Sequence, residues 1–235
     1  MSAPVLERQP AAGMPAPVPV IRGREAETAI LDDAIDRAAA GRLAVVLIDG
    51  EAGIGKTRLL QDALEKAGCR GLRVAAARAA ELEQARPFGL VAGMFGCTRS
   101  APDPRRAAIG ELLARGDHRD HGDLEGFEGR GDRAPVTVTS DPGLQFRAVD
   151  AFADLAEELA LDGPLVIGAD DLHWADPSSL VTLGALAARL DGLPVAIIGC
   201  FRPAPVMADL ERLASGLEAA GGRRLSLRGL DGRAV

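Results

Sequence analysis

Residues Gly50-Glu51-Ala52-Gly53-Ile54-Gly55-Lys56-Thr57 place three glycines, a lysine and a threonine at fixed spacing. The pattern is G-x-x-x-x-G-K-[ST], a phosphate-binding P-loop. The glycines allow a tight turn that brings successive backbone N–H groups up to phosphate oxygens. A helix starting near Gly55 would aim its unpaired N–H groups and positive dipole end at the same anion. Lys56 is a compact cation for the β- and γ-phosphates, and Thr57 has a hydroxyl for Mg2+. Of the 27 basic residues only Lys56 and Lys66 are lysines, so a lysine at this point suits a point charge on phosphate. Gly50 to Thr57, with Arg58 after them, form the candidate ATP-binding stretch.

A second candidate group lies in PLVIGADDLHWADPSSL, residues 164–180. Here a short apolar run ends in Asp170-Asp171. An acid at the C-terminal end of a parallel strand lies where open α/β sheets bind ligands. Asp170 is a candidate Mg2+ ligand together with Thr57. Asp171 is a candidate for orienting or deprotonating an attacking water. On its own an acid pair after a strand is often a helix cap; the upstream P-loop gives it weight. His173 is ambiguous, and Trp174 is read as packing. A third apolar run, Leu193 to Phe201, ends at Arg202-Pro203. Arg202 could touch a γ-phosphate, or equally be a surface arginine at a turn. Arg24, from spacing alone, is a solvated residue at a helix start.

Each candidate needs an element to hold it. Leu43 to Ile48 is apolar enough for a buried strand before the P-loop, and Leu59, Leu60, Ala63, Leu64 and Ala67 mark an amphipathic helix after it. Strands are further expected at 72–78, 165–169, 194–200 and 224–227. Helices are expected from about Ile30 to Gly41, from near Pro87, at 102–115, at 143–161, from Asp176-Pro177 to about Leu190, and at 205–220. Residues 1–19 are Pro/Ala-rich and read as a disordered tail. Residues 116–142 read as a charged loop. Its His118 and His121 among Asp117, Asp120 and Asp123 could bind a metal, but Gly and Asp richness alone accounts for the segment.

Composition narrows the classes. A net charge of −7 argues against nucleic-acid binding by this chain unaided. Cys69, Cys97 and Cys200 are odd in number and in no metal-binding spacing, as expected for reduced thiols in a cytoplasmic protein. No apolar run approaches the ~20 residues that span a bilayer, and the first 20 residues lack the pattern of a signal peptide.

GREAE at 23–27, GEAGIGKTRLL at 50–60, ELEQARPFGLV at 81–91, DDLHWADPSSL at 170–180 and FRP at 201–203 together resemble the ATPase domain of the large ATP-binding LuxR-type transcriptional regulators. These belong to the STAND branch of the AAA+-like P-loop NTPases. The resemblance covers residues 20–235 and implies a three-layer α/β fold, with a five-stranded parallel sheet in the order 5-1-4-3-2 flanked by helices. It places Arg202 toward the γ-phosphate and the Gly23-Arg24 region near the adenine. Members of that family continue into a helical lid, a winged helix, helical repeats and a DNA-binding helix-turn-helix; the sequence given stops where the lid is expected. Asp171 stands where many relatives carry the longer Glu.

These observations lead to an ATP-binding switch domain of a signalling regulator. It would be Mg2+-dependent, with slow hydrolysis carried by Asp171, Lys56 and Arg202. Its expected partners are ATP, ADP and other proteins or copies of itself, with no DNA and no membrane. The alternative is a truncated, non-enzymatic nucleotide-binding or interaction fragment. A metabolic P-loop kinase is a third reading, for which no acceptor-site residues are found.

Overall fold

A computed structural model describes residues 23–120, 142–204 and 207–229, with side chains omitted for 116–120. Five strands form one sheet: β1 (Ala44–Asp49), β2 (Arg73–Arg78), β3 (Leu165–Asp170), β4 (Val195–Phe201) and β5 (Arg223–Ser226). All pairings are parallel and the order is β2-β3-β4-β1-β5. Read from the other edge this is 5-1-4-3-2, as expected.

Strand periodicity builds the layers. In β4 Val195, Ile197 and Phe201 enter one core cluster, while Ala196, Ile198 and Cys200 enter the other. The alternation follows from successive side chains pointing to opposite faces. A strand buried on both sides therefore reads as a continuous apolar run. On one face lie α1 (Glu25–Ala39) and α2 (Lys56–Cys69), contributing Leu31, Ile35, Leu59, Leu60 and Ala63. On the other lie α3 (Gly89–Phe95), α4 (Pro104–Asp120), α5 (Pro142–Leu161), α6 (Pro177–Arg189) and α7 (Ala208–Ala219). Their core centres on Phe88, Phe95 and Phe152, with ring centroids 6.1 Å apart in each of the pairs that Phe152 makes.

One helix runs further than expected. Helix α4 runs on to Asp120, five residues beyond 115. Gly116 costs a helix interior only about 1 kcal/mol, and packing of α4 on α5 favours continuing the ladder. The tail at 1–19 and the candidate His118/His121 cluster lie outside the described residues and side chains.

Candidate functional site

The P-loop connects β1 to α2 and lies between the sheet edge and the helix start. Gly53 and Gly55 have φ of 75° and 102°, left-handed values that favour glycine. Gly50 is required by closeness: a Cβ there would lie 3.1 Å from both Ile54 Cγ2 and the Leu227 carbonyl oxygen. Helix α2 begins at Lys56 with no side-chain cap and no acid in its first turn. Its first N–H groups therefore remain available as donors. Lys56 is 5% exposed, and its Nζ donates to the carbonyls of Gly50 at 2.7 Å and Glu51 at 2.8 Å. Burial lowers the Lys56 ammonium from its ordinary value, and the nearby positive charge of Arg202 adds to this.

Strand β3 carries the acid pair to the same edge. Thr57 Oγ1 donates to Asp170 Oδ1 at 3.2 Å, across 113 residues of sequence. The Asp171 backbone N–H donates to the same oxygen at 3.0 Å. Asp170 is buried, and this raises its carboxyl above the usual range, with the Thr57 hydrogen bond opposing. Thr57 and Asp170 thus form a pair of hard oxygen donors beside the P-loop, the donor type that Mg2+ takes. Among the described residues no group of three or more His, Cys, Asp or Glu could hold a metal by itself.

Asp171, expected to orient or deprotonate an attacking water, is engaged by another side chain. Its backbone is left-handed, φ 53° and ψ 41°, a conformation Asp tolerates better than most residues. This turns the chain into the short helical turn Leu172–Trp174. Gly199 makes room for that turn, since a Cβ there would lie 2.7 Å from Leu172 Cδ1. The Asp171 side chain is held by Arg78: Nε lies 2.7 Å and Nη2 2.5 Å from Oδ2. Arg78 ends β2, in register with Asp170 on β3. Sequence reasoning missed it, although a charged residue at the tip of the strand next to β3 was a usable signal.

His173 is 4% exposed, and its Nε2 lies 3.9 Å from Asp171 Oδ1. Burial lowers the imidazole below its ordinary value; Asp171 opposes this, and Arg202, Lys56 and Arg78 add to it. Trp174 packs against the core, as expected. Asp176 caps α6, accepting from the Ser179 N–H at 2.8 Å. The same carboxylate accepts from the Phe88 N–H at 2.8 Å, and Ser179 Oγ accepts from Val91 N at 3.3 Å. The stretches 81–91 and 170–180 are therefore bonded to each other.

Arg202 follows the tip of β4, whose neighbours in the sheet are β1 and β3. Its positive charge opposes the charged forms of Lys56 and His173, lowering both. Arg24 corrects the solvated reading: it is 7% exposed. Its Nη2 donates to the carbonyls of Ile54 at 3.3 Å and Arg228 at 2.6 Å, and Nη1 pairs with Glu27 at 2.8 Å. It ties the start of α1 to the P-loop and to the segment after β5.

A glycine loop after the central-region strand β1, an acid ending β3 and a 5-1-4-3-2 parallel sheet define a three-layer P-loop NTPase fold. The chain belongs to the AAA ATPase domain family, whose profile matches residues 20–198. It is 30% identical over 223 residues to an uncharacterized protein, R02095, of Rhizobium meliloti strain 1021, covering 88% of this chain and 20% of that protein. Two solved structures share the fold at 18% identity and a TM-score of 0.51. One is a DNA replication initiation factor, with 90% of this chain and 48% of that one covered. The other is Cdc6p of Pyrobaculum aerophilum, with 96% and 50% covered. The chain thus spans a fifth to a half of the length of these relatives. No helix among the described residues is long and apolar enough to cross a membrane.

Proposed function

We propose that this chain is the ATP-binding switch domain of a larger signalling regulator of the LuxR type, binding Mg·ATP and hydrolysing it slowly. The observation that carries the reading is the Thr57 Oγ1 to Asp170 Oδ1 hydrogen bond of 3.2 Å, which joins the two motifs into one site. Lys56 and Arg202 are assigned to the γ-phosphate. Gly50, Glu51, Ala52, Gly53, Ile54 and Gly55 cradle the phosphates, with Thr57 and Arg58 at the helix start. Arg24 supports the loop from the adenine side. Thr57 and Asp170 would hold Mg2+, which neutralises phosphate charge when bound. Asp171 is assigned to the attacking water. ATP and ADP would then differ in their contacts to Lys56 and Arg202, and that difference biases the segments attached to the site.

The net charge of −7 favours nucleotides and proteins over DNA as partners, and a cytoplasmic setting fits the three free thiols. A binding-only reading draws support from Arg78, which occupies Asp171 Oδ2. Calorimetry and phosphate release separate the two. Wild type should bind ATP about ten-fold or more tightly with Mg2+ than without, a difference worth about 1.4 kcal/mol, and Asp170→Asn should lose most of that gain. Asp171→Asn should keep binding and lose turnover. Turnover unchanged in Asp171→Asn would remove that residue from the mechanism, and no turnover in wild type would leave the binding-only reading.

A further inference from the structure

His173 sits against the hydrolytic centre with no role so far. Neither Nδ1 nor Nε2 has a hydrogen-bond partner among the described residues. Its ring lies 5.1 Å from the Trp174 ring, at an interplanar angle of 45°. A buried imidazole with both nitrogens unsatisfied lowers stability. The neighbours Leu172 and Ala175 are 1% exposed and apolar, so a leucine would suit this position better for folding alone. Local choices that oppose the fold mark functional positions.

The geometry supplies a function. Arg78 approaches Asp171 at Oδ2, whereas His173 Nε2 lies 3.9 Å from the other oxygen, Oδ1. That gap is about 1 Å beyond a normal hydrogen bond, within reach of a small turn of the Asp171 side chain. Arg78 is 64% exposed and can leave for solvent; His173 is buried and fixed.

We propose that His173 is a positioning residue of the hydrolytic centre: its Nε2–H donates to Asp171 Oδ1 when Arg78 releases Oδ2, and so holds the aspartate toward the attacking water. The inference rests on Asp171 serving hydrolysis, as proposed above. Arg202, Lys56 and Arg78, together with burial, keep the ring neutral against the pull of Asp171, so the ring carries one N–H to donate.

The test compares His173→Leu and His173→Gln with wild type in three measurements: Tm without nucleotide, Mg·ATP affinity by calorimetry, and kcat by phosphate release. His173→Leu should melt at or above the wild-type Tm and bind Mg·ATP as wild type does. Its kcat should fall about ten-fold or more, the effect of losing one hydrogen bond made in the transition state. His173→Gln, whose amide N–H can stand near the Nε2 position, should recover most of the rate.

A His173→Leu variant with wild-type kcat overturns the proposal and leaves Asp171 in place. A lowered Tm with equal loss in both variants assigns His173 to structure instead. Wild type that binds Mg·ATP without turnover overturns the hydrolytic reading and the role of His173 with it.

Discussion

Two nitrogens of Arg78, Nε and Nη2, converge on a single oxygen of Asp171, Oδ2, at 2.7 and 2.5 Å. That oxygen is then unavailable to a nucleophilic water. Arg78 is 64% exposed, but Asp171 is only 8% exposed, so removing the arginine leaves a buried carboxylate short of donors, at a cost of about 1–3 kcal/mol. Arg78→Ala should therefore lower Tm by about 2–12 °C. Phosphate release should rise a few-fold, by roughly the factor that 1 kcal/mol gives. A fall in turnover would mean that Arg78 assists Asp171 rather than restrains it.

Lys56 is bonded within its own loop as well as charged. Lys56→Ala leaves the Gly50 and Glu51 carbonyls without that donor, at a cost of about 1–3 kcal/mol. Mg·ATP affinity should drop on the order of 100-fold, as expected from losing charge-assisted contacts of about 1.5–3 kcal/mol. Lys56→Arg should not restore it, since the planar fork cannot replace a compact ammonium in the loop. Melting curves and calorimetry check both effects.

Arg24 holds three partners from a buried position: Glu27, Ile54 O and Arg228 O. Arg24→Ala should destabilise the fold by about 2–4 kcal/mol, within the range for breaking a buried charged network. Nucleotide affinity should fall as well, because Ile54 is part of the P-loop. Denaturant unfolding that matches wild type would contradict this account of Arg24.

The sheet order was implied by the family resemblance alone, whereas the strands and the P-loop were legible because they depend on local pattern: apolar runs and glycines at fixed spacing. Thr57 and Asp170 were legible as candidates for the same reason. What stayed hidden depends on contacts distant in sequence. Arg24 looks like any helix-start residue until Arg228, 204 residues away, supplies a carbonyl. Arg78 gives no sign in the sequence of touching Asp171 until the β2–β3 register brings it alongside. Asp176 caps α6, yet its bond to Phe88 and that of Ser179 to Val91 belong to the packing of α3, which the local sequence does not show.

His173 gives a pH signature. Its folded value is lowered below the ordinary 6.5, first by burial. Above pH 6.5 the ring is neutral in folded and unfolded chain alike. Below 6.5 the unfolded chain takes a proton that the fold resists, so this group makes stability fall as pH falls toward the folded value. The Tm of His173→Leu should decline less steeply than that of wild type below pH 6.5. Parallel curves would show that the histidine ring titrates alike in both states.

The thiols should react unequally. Cys69 is exposed, while Cys97 and Cys200 are buried. Burial pushes the Cys97 thiol up to about 12 and Cys200 well above its ordinary value, which leaves little reactive thiolate. A thiol reagent at neutral pH should label one cysteine rapidly, and peptide mapping should find the label at Cys69. Rapid labelling of Cys200 would contradict its packing beside Lys56.

The most direct test of the nucleotide site is a thermal-shift titration of wild type and Lys56→Ala with Mg·ATP and Mg·ADP. A ligand at 100 times its dissociation constant adds about 2.7 kcal/mol of stability, a rise of roughly 5–10 °C for a chain of this size. The account predicts that rise in wild type, larger with Mg·ATP than with Mg·ADP at equal concentration, and no more than about 1–2 °C in Lys56→Ala. An equal rise in both proteins, or none in either, would contradict it.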